Sequence, residues 1–241
     1  MTDTRQAEGG LDRIVRERFF PGDSVGVFVD VGAARPDYLS MSALYRTLGW
    51  HVIAIEPNPV FCQAHRAAGY EVFEYACSDH DEDGVDFAVV DSHGAPYASG
   101  SVSFESFSSL EVKPSYRAVH KTELDVRRIK VDVRRLDSIL AEHAPDVGQL
   151  DIVSVDVEGW ELEVLDGLTF ERYPPQVLIV ENFLNEHAYR QVMRKRGYAL
   201  WRRLAPNDVY VLPSLLSLGE HAVARVRAGY WGLRRTDWPA H

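Results

Sequence analysis

Val27-Phe28-Val29-Asp30-Val31-Gly32-Ala33-Ala34 decides the fold of this chain. A β-favouring run interrupted only by Asp30 fits a strand covered by helices on both faces, as in a parallel sheet, where strict alternation is lost. Gly32 follows at once, and with no Cβ there the backbone can approach a ligand closely. In doubly wound sheets ligands bind beyond the carboxyl ends of the strands, at the topological switch point. A plain strand-to-helix turn that happens to contain glycine is the competing reading.

The same rhythm continues on the carboxyl side. Met41, Leu44, Tyr45 and Leu48 are apolar at helical spacing, and Gly49 is placed to stop that helix. His51 to Ile55 reads as a second strand, ending in Glu56 and a Pro57-Asn58-Pro59 turn; a helix from about Val60 to Ala68 and a third strand from Glu71 to Ala76 follow. The middle departs from this pattern. Val85 to Val90 and Val126 to Val133 read as strands, and the Ser- and Gly-rich stretch between them, Ser92 to Ser115, reads as a long functional loop or an added hairpin. Alternation then resumes: helix around Leu136 to His143, strand Leu150 to Asp156, helix around Glu161 to Leu165, strand Gln176 to Val180, helix Ala188 to Arg196. A last pair of strands is split by Pro206-Asn207-Asp208.

This order predicts an α/β fold: a doubly wound, mostly parallel, Rossmann-like sheet with an inserted hairpin or loop segment and a C-terminal helical extension. One domain is expected over residues 1–241, with a core of about 24–212. Residues 213–241 carry Trp231 and Trp238 and are expected to cap a site or bind a second copy as a homodimer.

Hydrophobic residues make up 46% of the chain and charged ones 26%, enough apolar material for a packed core. A formal net charge of -10 argues against nucleic acid as a partner. Arg127, Arg128, Lys130, Arg134 and Arg135 crowd together, but alternating strand faces make them solvated edges. Cys62 and Cys77 show no metal-ligand spacing and fit free thiols in a reducing cytoplasm, the expected location. Met1 to Gly10 is polar, without a signal-peptide core, and no apolar run approaches the ~20 residues needed to cross a bilayer.

Acids mark three strand ends. Glu56 ends the second strand, where nucleotide-binding sheets set an acid against ribose hydroxyls; a solvated charge before a proline turn is the bland alternative. After the first strand no G-x-G-x-x-G follows. Pro36 removes an N–H and Asp37 would repel a pyrophosphate, and there is no Walker-type loop either. The combination argues for a nucleoside ligand without phosphates, such as S-adenosylmethionine. The third end is Asp151-Ile152-Val153-Ser154-Val155-Asp156-Val157-Glu158-Gly159-Trp160-Glu161. Asp156 and Glu158 emerge there beside Asp30, two carboxylates suited to a cationic sulfonium or a substrate hydroxyl. Equally, Glu158 could cap the next helix.

Asp30-Val31-Gly32-Ala33, Ile55-Glu56-Pro57-Asn58-Pro59, Asp156-Val157-Glu158-Gly159-Trp160-Glu161 with Leu165 and Gly167-Leu168, Val180-Glu181-Asn182 and Asn207-Asp208-Val209-Tyr210-Val211 together resemble the FkbM-type methyltransferase family. The resemblance runs from about residue 27 to 211. It implies an S-adenosylmethionine-dependent enzyme that methylates hydroxyls of natural products and sugars. It also implies that Asp30, Gly32 and Ala33 line the methionine portion, that Glu56 holds the ribose, and that Ser78 and Asp79 fall beside the adenine. Many members carry a second Gly and an Asn where this chain has Ala34-Arg35-Pro36-Asp37 and Ser40; Ser40 joins the cofactor-binding candidates, as does Asp156.

A base for the acceptor hydroxyl is sought among Glu158, Glu181, His187 and His120, with Asp156 beside it; Glu158, Asp156 and His187 are the catalytic candidates. Oxygen ligands from Asp156, Glu158 and Asn182 would also suit Mg²⁺. Two other classes compete: a nucleoside-sensing module without turnover, and a scaffold that kept the fold. Acids at three strand ends favour the enzyme.

Overall fold

The computed structural model describes residues 7–91, 96–97, 102–103, 108–111, 113 and 125–223. In chain order the elements are α1 (Leu11–Phe19), β1 (Val27–Val31), α2 (Ala43–Thr47), β2 (His51–Ile55), α3 (Pro59–Ala67), β3 (Ala76–Cys77) and β4 (Glu82–Asp91). They continue with β5 (Pro96–Tyr97), β6 (Val102–Ser103), β7 (Asp125–Arg134), α4 (Leu136–His143), β8 (Leu150–Val155), α5 (Glu161–Asp166), β9 (Pro175–Glu181), α6 (His187–Lys195), β10 (Ala199–Leu204) and β11 (Asn207–Val211).

Six strands form the central sheet in the order β10-β11-β9-β8-β1-β2. β2, β1, β8 and β9 run parallel, and β11 and β10 are antiparallel to their neighbours. From β1 the chain first winds outward to β2 and later returns to β8 on the other side. The switch point therefore lies between β1 and β8, which pair Phe28 with Ile152 through Val31 with Val155.

Side chains alternate along each strand, so each strand feeds two cores. Val29, Val31, Val153, Val155, Leu178 and Val180 face α4, α5 and α6 through Leu136, Leu140, Val164, Leu165 and Met193. Phe28, Ile152, Val177, Ile179, Val209 and Val211 face α1 and α2 through Leu11, Val15 and Tyr45. Burial on both faces is why these strands read as continuous apolar runs.

Three sequence expectations change. The strand expected from Glu71 to Ala76 is only a bridge from Ile55 to Phe73; the chain then leaves the sheet, and Ala76–Cys77 pairs with β7. The cause is the long β4–β7 ladder, which forms a separate three-stranded sheet in the order β3-β7-β4. Asn207 and Asp208 are not in the turn but open β11, the turn being Ala205 and Pro206. The helix expected from Met41 to Leu48 is only Ala43–Thr47. α1, which no motif marks, covers one face of the sheet.

Of the segment expected as a loop or hairpin, Pro96–Tyr97 pairs antiparallel with Val102–Ser103. Residues 98–101, most of the remaining insertion, His120, and Trp231 and Trp238 of the expected extension lie outside the described residues. Among those described, no helix is long and apolar enough to cross a membrane.

Candidate active site

The carboxyl ends of β1, β2 and β8 are tied together by backbone. Gly32 and Ala33 N–H donate to the Ile55 carbonyl at 3.0 and 3.1 Å, and Asp156 N–H donates to the Val31 carbonyl at 3.0 Å. Gly32 sits at φ 78°, and a Cβ there would drive into the Asp156 carbonyl oxygen. The sequence argument kept that space for a ligand. The structure fills it with the turn after β8, so Gly32 is required first by the crossing of two protein loops. Ala33 is buried in the core; Ala34, at φ 44°, reaches the cleft instead.

Glu56 is 5% exposed and lies on the cleft wall. Its Oε2 accepts from Ala34 N–H and its Oε1 from Asn58 N–H, both at 2.8 Å. Burial pushes its carboxyl up to about 7, with the two backbone donors opposing and Asp30 adding repulsion. His65, wholly buried, meets the Ala34 carbonyl through Nε2 at 3.0 Å and steadies the same turn. Asp30 points away from the cleft: it shares its strand face with Phe28 and looks toward Ser42 and Arg46 of the α2 region. Burial raises its carboxyl, opposed by Ser42 and the Arg46 guanidinium.

The turn after β8 separates three acids by role. Asp156 is exposed and lines the cleft. Glu158 is 7% exposed and adopts φ 58°, a left-handed backbone that costs a non-glycine residue roughly 1–2 kcal/mol. Such strain is found where surroundings hold a side chain for a purpose. Burial, then the charges of Asp156 and Glu161, hold its carboxyl well above the usual carboxylate range. Glu158 is not the helix cap. The helix has no side-chain cap; Glu161 instead pins the turn before it, its Oε1 accepting from Val157 and Gly159 N–H at 3.2 and 2.9 Å and its Oε2 from the Tyr189 hydroxyl at 2.6 Å. Glu181, ending β9, completes the group: Asp156, Glu158 and Glu181 each bring a carboxylate oxygen within 4.8 Å of the others.

Asn182 is not part of this group. Its Nδ2 donates to the Glu186 carbonyl and to Asp208, and its Oδ1 accepts from Glu186 N–H at 2.6 Å. His187 opens α6, exposed, and does not line the cleft. Ser40, Ser78 and Asp79 do not line it either. Ser40 is buried ahead of α2, Ser78 packs its backbone against Gly167, and Asp79 pairs with His80 at 2.7 Å on the surface.

The cleft lies between Val31, Gly32, Ala34, Glu56 and Asp156 on the strand ends and Phe61, Tyr75, Phe87 and Trp160 on its apolar walls. These aromatic residues were not singled out from the sequence; only Trp160 sat within a motif. Ser108, Ser109 and Leu110 close another side, held by the Ser109–Ala88 bridge. Next to them the Trp160 indole N–H donates to the Glu111 carbonyl at 3.0 Å, and Lys113 lies over its ring while pairing with Glu163 at 2.7 Å. Part of the inserted segment thus belongs to the cleft wall.

The crystal structure of Methyltransferase FkbM from Methylobacillus flagellatus KT matches with 16% identity and a TM-score of 0.44, over 78% of this chain and 44% of that one. So loose a likeness transfers no residue roles, and this chain spans less than half of that protein. No curated protein matches. The family described as the Methyltransferase FkbM domain matches residues 30–200, which include β1, Glu56, the 156–161 turn and Glu181. The chain belongs to the FkbM methyltransferase domain family.

Proposed function

We propose that this methyltransferase uses S-adenosylmethionine to methylate a hydroxyl of a small molecule or sugar, with residues 24–212 as its single catalytic core. The observation that carries this reading is the placement of the Asp156–Glu158–Glu181 acids beside a cleft walled by Glu56 and aromatic side chains. A cleft with apolar, aromatic walls and few polar groups suits the base and ribose of a nucleoside.

The residues fit the cofactor. Each Glu56 oxygen spends one lone pair on a backbone donor and keeps another for a ribose hydroxyl. Phe61, Tyr75 and Phe87 offer flat apolar surface to a base, and the Gly32–Ala34 turn lies against the same space. S-adenosylmethionine supplies, when bound, a methyl group that an oxygen nucleophile displaces. Glu158, which stands behind Asp156 rather than on the cleft lining, takes the acceptor proton: burial and two neighbouring acids raise its proton affinity, as a base requires. Asp156, at the cleft surface, orients the acceptor.

Calorimetry with S-adenosylmethionine and transfer of a labelled methyl group to hydroxyl-bearing acceptors test the proposal. Micromolar binding and ether formation are expected. A folded protein that does not bind S-adenosylmethionine, or that methylates only nitrogen or carbon, would overturn it.

A further inference from the structure

Buried acids at this end of the sheet are mostly answered by named partners. Glu56 has two backbone donors, Glu161 has Val157, Gly159 and Tyr189, and Asp208 has Arg190 and Arg203 at 3.3 and 2.9 Å. Glu158 differs. Its side chain is more than nine-tenths buried, yet its Oε2 has no hydrogen-bond partner, and the nearest charges acting on it, those of Asp156 and Glu161, are repulsive. A buried carboxylate oxygen left in this state is unfavourable unless the group takes up a proton or something positive is bound there.

The geometry indicates what that is. Oxygens on one ion at about 2.0–2.6 Å each lie at most about 4–5 Å apart. The 4.8 Å spread of Asp156, Glu158 and Glu181 falls within that reach. All three donors are carboxylates, without nitrogen or sulfur, the set preferred by hard cations over zinc or copper. We propose that Asp156, Glu158 and Glu181 form a binding site for one divalent cation of the Mg²⁺, Mn²⁺ or Ca²⁺ type. Glu181 stands in this set where Asn182 was expected, the Asn182 side chain being engaged with Glu186 and Asp208. Because Asp156 also lines the cleft, the cation stands where it would meet an acceptor oxygen; that use, unlike the binding, rests on the methyl-transfer reading above.

The test is calorimetric titration of the metal-stripped full chain with MgCl₂, MnCl₂ and CaCl₂, without cofactor or acceptor. One saturable site is expected, weakened at least tenfold in Glu158→Gln and in Glu181→Gln and unchanged in Asp146→Asn, an exposed acid at the opposite end of the sheet. Circular dichroism checks that the variants fold. In the unaltered protein, Mn²⁺ should selectively broaden the amide resonances of Val157, Gly159 and Glu181. No saturable binding at millimolar cation, equal binding in both Gln variants, or broadening confined to other acids would overturn the site. Cation binding with no methyl transfer would sink the enzymatic reading alone, and methyl transfer with no cation binding would sink only the site.

Discussion

Lowering the pH from 8 to 6 should weaken S-adenosylmethionine binding by about tenfold, and Glu56 is the reason. Its carboxyl is buried on the cleft wall and pushed up to about 7, so half of the free protein carries it protonated near neutrality. Two ribose hydroxyls donate best to the ionised form, so binding selects that form and releases a proton below pH 7. The ionised fraction falls from about nine-tenths at pH 8 to about one-tenth at pH 6, which gives the tenfold loss. Stability has the opposite sign. A folded value above the ordinary 4.5 means that the native state holds its proton longer than the unfolded chain does. This contribution is fully present below pH 4.5, declines as pH rises to about 7 by on the order of 3 kcal/mol, and is flat above. Glu56→Gln should remove both slopes. At pH 8 it should also weaken binding by about 1–3 kcal/mol, roughly 5–150-fold, because an amide cannot accept from Ala34, Asn58 and the ribose together. Calorimetry at pH 6 and 8, in buffers of different ionisation enthalpy, reads affinity and proton release together. Affinity that is flat across this range, or unchanged in a folded Glu56→Gln, would refute the ribose role.

Gly32→Ala should destabilise the protein by about 2–5 kcal/mol in urea unfolding, from a left-handed backbone and a collision with the Asp156 carbonyl; a loss under about 0.5 kcal/mol would show that the turn can shift. Glu158→Gln should lower single-turnover methyl transfer about 10²–10⁴-fold with cofactor affinity little changed, and a normal rate would move the base to Glu181. In metal-stripped protein with Glu158 intact, the rate should rise with pH through its elevated titration, because only the ionised form takes a proton; a rate that does not vary with pH contradicts this. Tyr189→Phe should cost about 1–3 kcal/mol of stability by removing the 2.6 Å hydroxyl from buried Glu161, and an unchanged melting temperature would show that the pair is dispensable.

The central sheet was legible because burial on both faces leaves an unbroken apolar run at Val27–Val31 and again at Leu150–Val155, a pattern set by residues close in sequence. Where partners are distant, the sequence is silent. The β-favouring run after Glu71 marks local preference, but whether it joins β2 or turns toward β7 depends on the β4–β7 ladder, whose second strand begins only at Asp125. α1 has apolar positions at Leu11, Ile14 and Val15, which carry little meaning until there is a sheet face for them to cover.

The site divides along the same line. That acids end β1, β2 and β8 is visible in the sequence, because a carboxylate directly after a buried strand is conspicuous. Which way each acid turns is not. Asp30 and Asp156 stand one residue before and one residue after their strands' last apolar positions, yet Asp30 faces the α2 side while Asp156 lines the cleft. Glu158 could have capped the helix that follows, and backbone torsion decided otherwise: at φ 58° it turns back toward Glu181, while Glu161 takes the N–H groups of Val157 and Gly159 in the turn before the helix. The left-handed turn that diverts Glu158 from capping also leaves its Oε2 without a hydrogen-bond partner. A carboxylate held this way, against both strain and repulsion, has a position that stability alone does not explain, and its neighbours at the cleft are what give it one.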